Sequence, residues 1–211
     1  MAAFAALVAG TIFIVYAYRE ELAAPGAAGA ADQPSAATET AKPKDAPAQP
    51  KAPAAPQGGA APVVLYDFDA LPDPIKNTLQ DIVEAAQSGD IDEMLPVLQE
   101  NELPPMLAAA AVSDPIAFWK KASVDGQGRD ILAAMLNVFS SGFVRTGEGK
   151  DAMYVWPYFA EMDLSKLTPA QKVELFRIVP AAQALEMMKS GKYTYYRAGI
   201  GGDGVWHYFL Q

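Results

Sequence analysis

The feature that most constrains this chain is a long stretch near its start, PGAAGAADQPSAATETAKPKDAPAQPKAPAAPQGGAAP, which holds almost no large apolar residue. Such a segment cannot bury enough surface to offset the entropy of ordering it. Its recurring prolines favour extended polyproline conformations, and about 40 residues at ~3.1 Å each would reach on the order of 100 Å. The chain is therefore divided before any element is assigned. Residues 22–62 are expected to form a disordered Ala/Pro-rich linker, and whatever folds lies on either side of it.

On the N-terminal side, MAAFAALVAGTIFIVYAY runs without a charge until Arg19. That length is at the lower edge for a membrane-spanning helix. Tyr16 and Tyr18 fall where aromatic residues line a bilayer interface. A cleavable signal would carry a basic start and a shorter apolar run. Residues 1–21 thus read as a transmembrane anchor or uncleaved signal, contacting the inner membrane through residues 1–18. Arg19 taken alone would turn the following segment inward by the positive-inside rule. The Ala/Pro/Lys composition of the linker resembles the tethers of bacterial envelope proteins. That resemblance places the rest of the chain on the periplasmic face of a bacterial inner membrane.

Residues 63–211 carry the aromatic and aliphatic content of a folded domain. Asp73-Pro74 opens a helix, and Asp90 with Glu93 forms a capping-box pattern for another. Pro104-Pro105 starts a third candidate, Asp114-Pro115 a fourth, and GRDILAAMLNVFSS supplies a fifth. The pattern then changes to strand, turn and strand in FVRT, GEGK and DAMYVWPYF. Thr168-Pro169-Ala170-Gln171 is a second capping box. Its helix carries apolar Val173, Phe176 and Ile178, and Pro180 restarts a helix that Gly191 closes. YTYYRAGI and VWHYFL flank GGDG at the end. The expected class is α+β: several helices, then two β-hairpins with a helical pair between them.

Gly199, Gly201 and Gly204 fit the spacing G-x-G-x-x-G, which in a dinucleotide site precedes a helix whose N-terminus holds phosphate. Here the aromatic, β-branched VWHYFL follows instead, so the glycines read as a hairpin turn and no nucleotide is expected. A net charge of −9 argues against nucleic acid as a partner. The absence of cysteine excludes thiol chemistry and Cys-type metal sites. With His207 as the single histidine, neither a metal site nor another cofactor is expected. Strict alternation would put His207 on one strand face with Val205 and Phe209, opposite Trp206 and Tyr208. Paired carboxylates for glycoside hydrolysis could assemble from distant positions, such as Glu161 or Asp163.

The aromatics are the remaining candidate site. They fill a sheet–helix interface, or else Trp156, Tyr158, Tyr195, Trp206 and Tyr208 form an exposed platform for a glycan or peptide. Arg197 or Arg145 would then read a carboxylate. Three pieces, WPYFAE, LTPAQKVEL and YYRAGIGGDGVWHYF, resemble the C-terminal part of uncharacterised exported proteins of alphaproteobacteria. The likeness covers about the last third of the chain and implies an envelope protein without implying an activity. The leading functional expectation is a membrane-tethered, non-catalytic binding or scaffolding domain whose partner is an envelope protein or cell-wall polymer. The alternatives are a cell-wall hydrolase and a single-span accessory subunit of a membrane complex.

Overall fold

A computed structural model describes residues 62–211. The anchor expected over 1–21, and all but the last residue of the linker expected over 22–62, lie outside the described residues. No helix among the described residues is long and apolar enough to cross a membrane. The described part is α+β, with six α-helices and a five-stranded antiparallel sheet.

The helices come first. α1 (Asp73–Gln87) buries Ile75, Leu79, Ile82 and Ala86, a stripe at helical spacing. Asp73 lies inside the helix rather than capping it, because the chain turns helical one residue earlier, after Pro72. Gly89, at φ 75°, lets the chain leave. Asp90 then accepts from the Asp92 amide and opens a 3-10 turn that runs into α2 (Met94–Glu100). α3 (Pro115–Ala122) starts where expected, with the Asp114 carboxylate accepting from the Ala117 amide. α4 (Arg129–Phe139) buries Ile131, Leu132, Met135, Val138 and Phe139.

One expected helix is absent. Pro104-Pro105 does not start a helix, because Met106 pairs in parallel with the last strand: its amide donates to the His207 carbonyl and its carbonyl accepts from Phe209. A long-range strand contact thus overrides a local helix-start signal.

The sheet is a meander in chain order: β1 (Val64–Leu65), β2 (Phe143–Thr146), β3 (Met153–Trp156), β4 (Arg197–Gly201) and β5 (Trp206–Leu210). The two expected hairpins are joined, since β3 pairs with β4. The helical pair between them is α5 (Pro169–Ile178) and α6 (Ala181–Ser190). Thr168 and Gln171 close the expected capping box on α5, and Gly191 at φ 73° ends α6. Helix α5 turns Leu175 and Ile178 inward but leaves Val173 72% and Phe176 43% exposed. Only one of the three apolar residues singled out in its sequence, Ile178, therefore faces the core.

Helices cover both sides of the sheet. On one face Phe143, Trp156, Ala198, Ile200, Trp206 and Phe209 pack with the stripes of α1 and α4. On the other, Val144 and Val155 pack with Tyr158, Phe159, Leu175, Ile178 and Met187. The two sets alternate along the strands, as a pleated sheet with both faces covered requires.

Candidate functional site

The aromatic residues divide by burial. Trp156, Trp206 and Tyr158 are fully buried, and Tyr208 is 4% exposed. Trp206 stacks on Trp119 at 6.3 Å, and Trp156 sits 5.0 Å from Phe143 and 5.7 Å from Phe139. These rings are core, so no exposed platform forms from them. Tyr195 and Arg197 remain half-buried at the surface. Arg145 is exposed on β2, offset by an odd number of positions from the β2 residue facing α5 and α6, and so is not on Arg197's face.

Strand alternation also fails at the end of the chain, for a definite reason. Gly199 pairs with Tyr208 and Ile200 with Trp206, leaving His207 as an extra residue in a β-bulge. The bulge puts Trp206 on the same core face as Phe209. His207 is turned to the opposite face, where its Nε2 would stand 2.8 Å from a Cβ placed on Gly201. His207 thus does not share a face with Phe209.

The glycine turn is a docking element. Gly204 has φ 91°, and a Cβ there would meet Pro74 at 2.8 Å. The Gly204 carbonyl accepts from the Thr78 hydroxyl at 2.6 Å. The turn therefore lies flat on the first turns of α1, and its glycines supply conformation and clearance rather than phosphate contacts.

This docking leaves a groove of about 310 Å³ between α1, the end of α2 and the β4–β5 turn. Asn77, Asp81, Glu100, Glu102 and Asp203 line it together with Asn101. None of the four carboxylates belongs to an ion pair among the described residues, whose ion pairs are Lys76–Asp73, Lys120–Asp92, Arg129–Asp125, Lys166–Asp163 and Lys189–Glu186. Asn101 forms the floor: its amide oxygen accepts from the Trp206 N–H at 2.8 Å and its nitrogen donates to the Trp206 carbonyl at 2.9 Å. The acidic groove is assembled from segments roughly a hundred positions apart, and no local pattern marks it.

The acids proposed for glycoside hydrolysis take separate roles. Asp163 caps a 3-10 turn, and the Ser165 hydroxyl first, then Lys166, hold its carboxyl down at about 2. Glu161 is 7% exposed, and burial pushes its carboxyl up. A third acid, Glu174 on α5, accepts hydrogen bonds from the hydroxyls of Tyr66 and Tyr158, both at 2.9 Å. Burial raises both phenols, which keeps them protonated, as donors to Glu174 rather than nucleophiles. Among the described residues no group of three or more His, Asp or Glu side chains is placed to hold a metal ion.

The fold is thus a helix-covered antiparallel meander with an acidic groove at one end. Comparison with known protein families, with curated proteins and with solved structures returned no match.

Proposed function

We propose that residues 63–211 form a non-catalytic binding domain whose acidic groove takes a basic segment of an envelope protein. In this reading residues 1–21 anchor the chain in the inner membrane and residues 22–62 hold the domain away from it. The groove carries the proposal: Asp81, Glu100, Glu102 and Asp203 share about 310 Å³ of open space with no cation paired to any of them among the described residues. Like charges gathered around a concavity repel one another and attract counter-ions, and a lysine or arginine side chain relieves that repulsion. Amide groups of Asn77 and Asn101 at the same groove add neutral hydrogen-bonding sites. A carboxylate-rich wall polymer would meet like charge here, so the groove favours the protein partner. The anchor and tether rest on the composition of residues 1–62.

Titration of the full-length chain with a lysine-rich peptide tests this. Binding should weaken as salt rises, because the Debye length shrinks to about 10 Å at 0.1 M. Glu100→Gln with Glu102→Gln should weaken it roughly two- to thirtyfold, at about 0.2–1 kcal/mol per exposed pair. Affinity indifferent to the double substitution would refute the groove as the site. Cross-linked purification of the full-length chain beside one lacking residues 1–62 tests the rest of the proposal. A partner captured by both places recognition in the domain, whereas one captured only by the full-length chain favours recognition through the anchor.

A further inference from the structure

A helix that covers a sheet ordinarily turns its polar residues to water. Helix α5 departs from this. It buries Leu175 and Ile178, yet Val173 is 72% and Phe176 43% exposed. At about 100° per residue, Arg177, Val173, Phe176 and Lys172 follow one another around the helix, roughly 60°, 100°, 160° and 200° from Glu174. The four occupy one continuous arc on the side away from the sheet, with a cation at each border. Tyr66, 56% exposed, adjoins the arc at Glu174, to which its hydroxyl donates at 2.9 Å.

The free charges on this arc have one sign. Lys172 and Arg177 are exposed and belong to no ion pair among the described residues. Arg177 makes one long contact, 3.5 Å to the Ser140 carbonyl, which orients the guanidinium without neutralising it. The acid of α5, Glu174, is turned to Tyr66, Tyr158 and the Gly142 amide. Two unopposed cations thus border an apolar surface on a chain whose net charge is −9. A second copy is a poor occupant, since two-fold pairing of this face would set Lys172 and Arg177 near their own counterparts. An anionic lipid surface fits both features. Rings and aliphatic groups sink to the headgroup boundary while lysine and arginine heads meet the lipid phosphates. Residue 62 is four positions before Tyr66, so the chain leading back to residues 1–61 leaves the domain within about 14 Å of it.

We propose that the outward side of α5, with Tyr66, is a docking face for an anionic membrane surface. Lys172 and Arg177 hold the phosphates, and Val173, Phe176 and the Tyr66 ring enter the boundary between headgroups and acyl chains. The face lies on the opposite side of the sheet from α1, so docking directs the acidic groove away from the lipid. The groove carboxylates then avoid like-charged headgroups and stay open to a partner. The inference rests on the proposed anchor for nearness to a bilayer, not for the chemistry of the face.

The chain has no cysteine, so Ala170→Cys, on the exposed flank of α5, gives one attachment point for an environment-sensitive fluorophore. Val124→Cys, 93% exposed between α3 and α4, is the control. The full-length protein is mixed with excess vesicles of phosphatidylcholine alone or with phosphatidylglycerol added, each carrying a nitroxide-labelled lipid. Emission from residue 170 should shift to the blue and be quenched in the anionic vesicles and much less in the neutral ones, while residue 124 responds to neither. Lys172→Gln and Arg177→Gln should each weaken the response about fivefold. Val173→Ser with Phe176→Ser should abolish it without moving Tm, because both residues are exposed. Flotation separates this face from the anchor. A chain that floats with neutral vesicles but gives no extra quenching at residue 170 in anionic ones overturns the face and leaves the anchor standing. A chain that fails to float with neutral vesicles but is quenched at residue 170 in anionic ones supports the face and refutes the anchor. Equal quenching at residues 170 and 124, or self-association without lipid that the serine pair removes, would also overturn the proposal, the latter in favour of a second copy.

Discussion

Glu174 ties three parts of the domain together, and its removal gives a prediction with a worked magnitude. One carboxylate oxygen accepts from Tyr66 and from Tyr158, both at 2.9 Å, while the other accepts weakly from the Gly142 amide at 3.4 Å. The two phenols differ in what they lose. Tyr66 is 56% exposed and can turn its hydroxyl to water, so Tyr66→Phe should cost about 0.5 kcal/mol or less. Tyr158 is fully buried, and without Glu174 its hydroxyl is stranded, at about 1–3 kcal/mol. Glu174→Ala should therefore cost about 2–3 kcal/mol, most of it at Tyr158. Tyr158→Phe removes the stranded group, so the double variant Tyr158→Phe, Glu174→Ala should cost clearly less than the sum of the singles. The coupling expected from urea unfolding of the full-length chain is about 1–3 kcal/mol, within the range measured for residues sharing one network. In a domain of this size each kcal/mol also lowers Tm by about 2–4 °C. A coupling below about 0.5 kcal/mol, or a Tyr66→Phe loss equal to that of Tyr158→Phe, would refute the assignment of the energy to the buried hydroxyl.

Gly204→Ala should destabilise by about 1–3 kcal/mol, because the residue needs φ 91° and its new Cβ would meet the Pro74 carbonyl oxygen at 2.8 Å. Circular dichroism melts check this, and an unchanged Tm would mean that the turn does not rest on α1. Glu161 should make stability pH-dependent in the direction set by its raised pKa. The folded state holds this proton more tightly than the unfolded chain, so the contribution is full below the ordinary value of 4.5 and is lost as pH rises through the folded pKa. Glu161→Gln should therefore gain on the wild type as pH rises from about 4 to about 8, as read from urea midpoints. A gap between the two that stays constant with pH would show that Glu161 titrates alike in both states.

Local signals carried the parts of the fold that local physics decides. Asp114-Pro115 and Thr168-Pro169 with Gln171 mark helix starts because cap and amide are three residues apart, and both caps form. The strand–turn–strand pattern around GEGK was legible for the same reason. Where a distant segment decides, the sequence misled. Pro104-Pro105 has the local form of a helix start, yet Met106 is held extended by β5. The bulge at His207 is set by the register against β4, and it moves Trp206 away from the face of Tyr208. β1 is two residues long and visible only through its pairing with β2. The rings expected as one platform divide between the two faces of the sheet, Trp156 and Trp206 on one and Tyr158 on the other, because composition alone does not distinguish rings that line a surface from rings that fill a core. The groove has no local signature, since its acids come from α1, the end of α2 and the β4–β5 turn.

The two edges of the sheet bear on how such a domain can meet a partner. A free edge strand offers unpaired backbone groups to any extended segment. On the β5 side that opportunity is closed. Asn101 satisfies both the N–H and the carbonyl of Trp206, Met106 takes the His207 carbonyl and the Phe209 N–H, and the Trp206 indole donates to the Tyr208 carbonyl at 3.0 Å. On the other side, among the described residues, β1 is Val64–Leu65, and Arg145 and Thr146 of β2 have no partner in it. Strand addition is thus blocked along β5, where Asn101 and Met106 hold the outward backbone groups. The same Asn101 that closes the β5 edge also forms the floor of the acidic groove, so groove and edge protection depend on one side chain. If the groove binds a basic segment as proposed, Asn101→Ala should affect both that binding and edge-to-edge association, whereas neutralising Glu100 and Glu102 should affect binding alone.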